Sequence, residues 1–257
     1  VRDPESQVAE AQVPESQVPE SQLPEDGQDI FGFARGAEAG LCLHTVLEHV
    51  DLHALDQPAT RNLVVKTLAQ HGLLDVDDHP GVLDPTSAVL DNLRNLAGAR
   101  VHEGGATVLD VCGGVRIAEW KFTIPISQPD LPALAKCFAQ STCKIAAPYA
   151  NRLSHLAPQH FAGFLTGFAD LITECDGRYW IVDWKSNHLG NQPSDYDEKA
   201  LLHAMQSHDY ILQYHLYVLA WHRHLRARLP GYDYDDHFAG VSYAFLRGAV
   251  PDETTGM

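Results

Sequence analysis

The sequence predicts an α/β domain built around a central mixed β-sheet that is flanked by helices. Two observations support this prediction. From about residue 31 onward, helical patterns alternate with short apolar strands, which is the order of elements expected when helices cover a sheet. In addition, 45% of the 257 residues are hydrophobic and 9% are aromatic, which is typical of a packed globular core.

The N-terminal segment, residues 1–30, differs in composition from the rest of the chain. It repeats a five-residue unit such as "VPESQ". Regular prolines interrupt helices, and Pro, Glu, Ser and Gln without aromatic residues cannot bury enough surface to offset chain entropy. We therefore predict a disordered linker at residues 1–30 and one folded domain at residues 31–257. Residues 1–28 hold seven acidic residues and one basic residue, which leaves −10 of the total charge of −16 for the remainder.

Apolar residues at helical spacing predict several helices. Leu43, Val46, Leu47 and Val50 recur at intervals of three and four residues, which predicts an amphipathic helix that carries His44. Further helical patterns lie at residues 60–71, 86–97, 130–155 and 197–229, the last as one broken helix or two.

Alternating and β-branched segments predict the strands. The segment "ATVLDV" (106–111), a "CGG" break and "VRIAEWKFTIPI" (115–126) predict a hairpin of half-buried strands. A second hairpin is predicted from residues 163–174 and 178–184, because the Asp-Gly pair between them is the strongest short turn signal. A last strand is predicted within "HFAGVSYAFLRG".

The second hairpin places charged side chains at the ends of apolar strands. Because side chains alternate along a strand, Asp183 and Lys185 share one face, and strand pairing can bring Asp170 beside Asp183. Two close carboxylates repel each other unless a cation lies between them, and Mg²⁺ prefers oxygen ligands. A metal held there could bind a phosphodiester oxygen and activate water, while Lys185 either positions or activates the water or stabilises the charge that develops on phosphorus. The pattern therefore predicts a phosphate-hydrolysing metal site.

Longer stretches around these residues resemble a known family. "GFLTGFADLI", "GRYWIVDWKSNHLG" and "AMQSHDYILQYHLYVLAWHRHLR" resemble the PD-(D/E)xK nuclease superfamily, and within it the C-terminal nuclease domains of RecB-type subunits. The resemblance covers about residues 31–250 and implies a restriction-endonuclease-like core. It also implies Mg²⁺-dependent hydrolysis of DNA phosphodiester bonds during double-strand-break repair and recombination, on strands fed by a helicase. RecC-type and RecD-type partner subunits and a cytoplasmic location follow from the same resemblance.

The resemblance assigns roles to residues of the predicted metal site. His44, Asp170 and Asp183 match the metal ligands of the family, and the backbone carbonyl of Trp184 matches a further metal contact. Lys185 matches the catalytic lysine. Together these residues are the predicted catalytic and metal-binding set.

The resemblance also points to residues around that set. Gln213 and Tyr217 match a QxxxY motif that contacts DNA or orders the lysine. Glu119 lies where related sequences also have an acid, and the sequence assigns it no role. Arg223 and Arg226 lie on the same predicted helix as the QxxxY motif, either as solvated residues or as a stripe that contacts phosphates.

Two other interpretations of the whole chain remain open at this point. The first is a non-catalytic nuclease-like scaffold that binds partner subunits or DNA, although a scaffold has no reason to keep the ligands and the lysine. The second is a stand-alone nuclease of the same superfamily. The acidic net charge argues against broad adhesion to nucleic acid, so we expect the isolated domain to bind DNA weakly.

Other site and membrane classes are disfavoured by the sequence. His49 and His53 have the spacing of a zinc pair but no third ligand at a recognised distance. The five cysteines include no CxxC pair, so neither a disulfide framework nor a zinc ribbon is predicted. No apolar run approaches the ~20 residues that span a bilayer, so no membrane association is predicted.

Overall fold

A four-stranded sheet lies at the centre of the computed structural model, which describes residues 29–74, 84–127, 130–156 and 162–257. Its strands are Val115–Ser127 (β1), Ala162–Cys175 (β2), Arg178–Lys185 (β3) and Phe238–Phe245 (β4), in the order β1-β2-β3-β4. The first two pairings are antiparallel, whereas β3 and β4 are parallel. The predicted central mixed sheet is thus confirmed.

Helices cover both faces of this sheet. Leu171 and Val182 pack with residues of the N-terminal helices, whereas the neighbouring Ile172 and Ile181 pack with residues of the long C-terminal helix. Consecutive residues of a strand point to opposite faces, so the two sets mark two layers of helices. The helices are Ala37–His49 (α1), Pro58–Gln70 (α2), Pro85–Gly98 (α3), Val108–Val111 (α4), Leu131–Ala139 (α5), Ala146–His155 (α6), Glu198–Ser207 (α7), Tyr210–Arg228 (α8) and Tyr234–His237 (α9).

No helix in the described parts of the chain has both the length and the hydrophobicity that a bilayer crossing requires.

The predicted hairpin between residues 106–111 and 115–126 is wrong. Residues 108–111 form the short helix α4, and β1 pairs with β2 instead. The side chain of Thr107 accepts a hydrogen bond from the amide of Asp110, and the Asp110 carboxylate accepts one from the amide of Thr107. This reciprocal capping satisfies amides at the start of a helix, and it outweighs the strand preference of the valines.

The turn between β2 and β3 has the geometry that its sequence predicts. Asp176 and Gly177 have φ angles of 52° and 78°, and a two-residue hairpin turn of type I′ requires positive φ at both positions. Cys175 pairs with Arg178 directly across the turn. The turn therefore fixes the register along which the predicted site residues lie.

The segment 197–229 folds as two helices that meet at Asp209. This residue has a left-handed φ of 58°, which ends α7 and redirects the chain into α8. Its carboxylate accepts hydrogen bonds from Tyr149 Oη at 2.5 Å and Arg152 Nη2 at 2.8 Å. Because Tyr149 and Arg152 belong to α6, these contacts fix the direction in which α8 leaves the corner.

The segment before α1 is held by a buried arginine that follows β4. The Arg247 guanidinium donates hydrogen bonds to the backbone carbonyls of Ile30, Phe33 and Ala34. Ile30, Phe31 and Phe33 are buried in the main core. Residues 1–28 of the predicted linker lie outside the described residues.

Gly114, at the start of β1, provides a test of the β1–β2 pairing. A Cβ atom at this position would lie 1.6 Å from the carbonyl oxygen of Glu174, so Gly114→Ala forces the two strands apart. We expect the free energy of unfolding to fall by about 2–3 kcal/mol. Gly163→Ala is the matched control, because nothing lies within 4 Å of its added Cβ. Thermal unfolding followed by circular dichroism checks this, and equal melting temperatures would contradict it.

Candidate active site

The register of the β2–β3 hairpin places Asp170 and Asp183 across from each other. Leu171 pairs with Val182, so the next step of the same register sets the two aspartates opposite. Lys185 follows two residues later on β3 and shares the face of Asp183. The structure thus brings together the two carboxylates and the ammonium that the sequence predicts as neighbours.

Asp170 links β2 to helix α1 and to β3. Its Oδ2 accepts a hydrogen bond from the amide of Trp184 at 2.7 Å and lies 3.6 Å from Nδ1 of His44. Burial lowers the pKa of His44, but the contact with Asp170 and the charges of Asp170 and Asp183 outweigh this, so its pKa is raised. His44 is therefore held beside the carboxylates. The predicted metal contact of the Trp184 carbonyl remains a prediction.

Asp183 is a buried carboxylate that forms a close ion pair with Lys185. It is 1% exposed, and its Oδ2 lies 2.5 Å from Nζ of Lys185. Among the described residues, no hydrogen bond of ordinary geometry reaches Oδ2, so the ion pair is its closest compensation. Burial, and then the charge of Asp170, raises the pKa of Asp183 to about 6, although Lys185 opposes the rise. Asp170 and Asp183 share one ammonium, and a further cation would neutralise the remaining negative charge.

Lys185 is positioned by groups from α8 and β4. Its Nζ donates a hydrogen bond to Oε1 of Gln213 at 3.0 Å, and the same oxygen accepts one from Tyr243 Oη at 2.9 Å. The ammonium also lies 3.9 Å from the ring centroid of Tyr210 and 4.9 Å from that of Tyr243. Attraction between a cation and aromatic faces stabilises the charged lysine in a buried site. Gln213 thus contacts the predicted catalytic lysine directly.

Tyr217 lies one helical turn after Gln213 and faces the sheet. Its ring packs edge-on against Phe122 of β1, with centroids 5.7 Å apart. Burial, and then the negative charges of Asp183 and Asp170, raises the pKa of this phenol, so Tyr217 stays neutral beside the carboxylates. The predicted contact with DNA remains a prediction.

Two further acids lie at the edge of the site, where Glu119 interacts with Asp170 and Glu48 interacts with Glu119. Glu119 of β1 lies opposite it in the strand register and has a left-handed φ of 50°, a conformation that non-glycine residues adopt at a cost. Burial, and then the charges of Asp170 and Glu48, raises the pKa of Glu119. Sequence analysis missed Glu48, although it follows His44 by four residues and so lies on the same face of α1.

The residues present fit a hard divalent cation by their chemistry. In the part of the chain that the structure describes, no three His, Cys, Asp or Glu side chains converge around a point that could hold an ion. Asp183 is directed toward Lys185, and Asp170 toward the amide of Trp184. However, two carboxylates share the single ammonium of Lys185, and the raised pKa of Asp183, caused by burial and then by Asp170, indicates a negative charge that a cation would stabilise. His44, Asp170 and Asp183 are the side chains that would hold it.

The mixed sheet and the paired acids with their lysine define a nuclease class. The model of the PD-(D/E)XK nuclease superfamily matches residues 20–254, and the chain belongs to this superfamily. The predicted restriction-endonuclease-like core is thereby confirmed.

Within this class the chain is similar to RecB subunits of RecBCD enzymes. It is 36% identical to the subunit of Escherichia coli over 216 residues, which are 84% of this chain and 17% of that protein. It is 32% identical to the Mycobacterium tuberculosis subunit over 227 residues, 83% of this chain and 21% of that protein. The chain spans about a fifth of the length of these relatives. The predicted resemblance to RecB nuclease domains is confirmed.

Proposed function

We propose that this chain is the nuclease domain of a RecB-type helicase-nuclease and that it hydrolyses DNA phosphodiester bonds with Mg²⁺. The observation that supports this most strongly is the buried pair of Asp183 and Lys185 opposite Asp170. Burying two carboxylates and an ammonium together costs several kcal/mol. Because such pairs are poor stabilisers, chemistry is the better explanation of their retention.

Each residue of the site has a role in this proposal. Asp170 and Asp183, with His44, hold the cation and so fix where the phosphate lies. A bound Mg²⁺ supplies Lewis-acid stabilisation of the phosphate charge and lowers the pKa of water. Lys185 presents its ammonium to the negative charge that develops on phosphorus, or orients the attacking water.

Neighbouring side chains keep the lysine ready for this role. The Gln213 amide oxygen holds Nζ while Tyr243 fixes that oxygen from the other side. A preorganised cation costs little reorganisation when charge develops. Gln213 thus supports the site by positioning Lys185. This is one of the two roles predicted for the QxxxY motif, the ordering of the lysine.

The biological setting is also part of the proposal. The relatives are RecB subunits of RecBCD enzymes, which supports double-strand-break repair as the process, RecC-type and RecD-type subunits as partners and the cytoplasm as the location. Residues 1–28 serve as a linker ahead of the nuclease domain, which already includes Ile30 because this residue is buried in the core. The acidic charge of the domain favours delivery of DNA by partners over capture by the field of this domain.

The test is cleavage of linear single-stranded DNA by the full 257-residue chain, with Mg²⁺, with Ca²⁺ or with a chelator. We expect products with Mg²⁺ alone, because Ca²⁺ binds oxygen ligands with looser geometry. Titration calorimetry with Mg²⁺ accompanies the assay. A chain that neither cleaves DNA nor binds Mg²⁺ would be the non-catalytic scaffold.

A further inference from the structure

One end of the antiparallel β1–β2 strand pair presents phenylalanines to solvent. Phe164 is 75% exposed and Phe168 is 47% exposed, whereas the alternating residue Ala169 is buried. The pairing of β2 with β3 covers only Leu171–Cys175. The part of β2 that precedes Leu171 pairs with β1 alone. We call this surface the distal hairpin face and define it by the outward residues Phe164, Thr166 and Phe168 of β2 with Lys121 and Thr123 of β1.

Exposed aromatic residues on this strand pair lower the stability of the domain and favour its aggregation. Large apolar side chains in water lose the stabilisation of burial, and apolar strands at a sheet margin favour aggregation. Across the strand pair, Thr123 and Thr166 bring their hydroxyls within 3.3 Å. The face thus alternates aromatic rings with hydroxyl groups, which suits a ligand that has both apolar planes and polar edges.

The distal hairpin face lies beside the end of the candidate active site that Asp170 and Glu119 form. Phe168 precedes Asp170 by two residues on β2, a distance of about 7 Å along a strand. Phe164 lies about 13 Å further along the same strand. A chain that leaves the carboxylates along β2 therefore meets Phe168 first and Phe164 next.

The charge of this face is opposite to that of the molecule. Lys121 pairs with Phe168 in the strand register, and its Nζ lies 5.6 Å from the centroid of that ring. Residues 121–127 and 162–168 contain no acidic residue, in a chain with 34 of them. Along this face a polyanion meets no acidic side chain until it reaches Glu119 and Asp170 at the site itself.

We propose that the distal hairpin face binds a single DNA strand beside the site of hydrolysis, with bases stacked on Phe168 and Phe164 and a phosphate contacted by Lys121. This inference rests on the proposed nuclease function. Stacking on an aromatic residue requires an unpaired base with a free face, and it tolerates any base sequence. The face therefore selects single strands over duplex and shows no sequence preference.

The test measures binding of an oligonucleotide of about 12 nucleotides that contains 2-aminopurine, with the full chain in Ca²⁺. Stacking of the fluorescent base should quench its emission on binding. Phe168→Ala and Phe164→Ala should each weaken binding on the order of tenfold, the range of one stacked base. Phe168→Trp should restore affinity and quenching, whereas Phe168→Leu should restore neither, because leucine keeps the apolar bulk without the ring.

Two further variants distinguish base stacking from the phosphate contact of Lys121 and from the general loss of an exposed side chain. Lys121→Met should reduce the slope of log affinity against log salt by about 0.7, the value for one phosphate contact on a single strand. Val115→Ala is the matched control, since it removes a side chain that is 71% exposed from the other end of the same strand pair. It should leave binding and quenching unchanged.

The outcomes distinguish this inference from the proposed function. A wild-type chain that cleaves DNA with Mg²⁺, but binds the oligonucleotide equally well without Phe164 and Phe168, overturns the stacking role alone. Full binding by Phe168→Leu also overturns it and indicates an apolar contact with a protein partner. A wild-type chain that neither binds nor cleaves overturns the nuclease function and this inference with it.

Discussion

The Asp183→Asn variant should lose DNA cleavage by roughly 10³-fold and should gain no stability from Mg²⁺. The substitution keeps the shape of a side chain that is fully buried and leaves an amide oxygen to face Lys185. The fold should therefore persist while the charge that attracts the cation is lost. Cleavage of linear DNA and thermal unfolding with and without Mg²⁺ measure both effects.

The pH dependence of stability reports on the same carboxyl. Its pKa is raised from 3.8 to about 6 by burial and then by Asp170, so the folded state binds this proton more tightly than the unfolded state does. Without metal, this carboxyl should cost the wild-type protein on the order of 3 kcal/mol of stability relative to Asp183→Asn as pH rises from about 4 to about 6. Asp183→Asn should remove this loss. The raised pKa of His44 adds a decline only above pH 6.5.

A charge-matched control identifies effects specific to the site. Glu103 is exposed, and Glu103→Gln also removes one negative charge. It should leave cleavage, the Mg²⁺ effect and the pH profile unchanged. If Asp183→Asn instead loses its secondary structure by circular dichroism, Asp183 is structural and its assignment as a ligand is wrong.

The Lys185→Met variant should separate metal binding from catalysis. We expect cleavage to fall roughly 10²–10³-fold, because the site loses the cation that faces the developing charge. Mg²⁺ affinity should stay the same or rise, since the ammonium that competes for Asp183 at 2.5 Å is gone. Calorimetry with Mg²⁺ and a cleavage assay measure the two quantities separately.

An exposed lysine supplies the control for this experiment. Lys199 lies on the exposed surface of α7, and Lys199→Met should retain full cleavage. Residual cleavage by Lys185→Met within tenfold of wild type would contradict a catalytic role. Loss of Mg²⁺ binding in that variant would instead show that Lys185 is needed to shape the site.

Local signals in the sequence were sufficient to predict the hairpin that carries the site. An Asp-Gly turn fixes the β2–β3 register, and strand alternation then sets Asp170 against Asp183 without information from distant elements. The segment at residues 106–111 was mispredicted, because its valines favour a strand while the contacts of Thr107 and Asp110 favour a helical turn. The sequence contains the capping pair Thr107 and Asp110, but the apolar residues of the same segment favour a strand.

The groups that support the lysine could not be predicted in the same way. Tyr210 and Tyr243 reach Lys185 from α8 and β4, and only the packing of these elements brings them to one point. The exposure of Phe164 and Phe168 is equally a product of topology, because apolar residues of a strand predict burial. It arises where β2 extends beyond its pairing with β3.

The hydrogen bonds of Arg247 determine how mechanical load enters the domain. A pull on the chain ahead of Ile30 is resisted first by the three carbonyl contacts of this guanidinium. The load passes from there into the end of β4, before it reaches α1 at Ala37. The helix that carries His44 is therefore shielded from tension, and the geometry around Asp170 withstands movement of whatever precedes the domain.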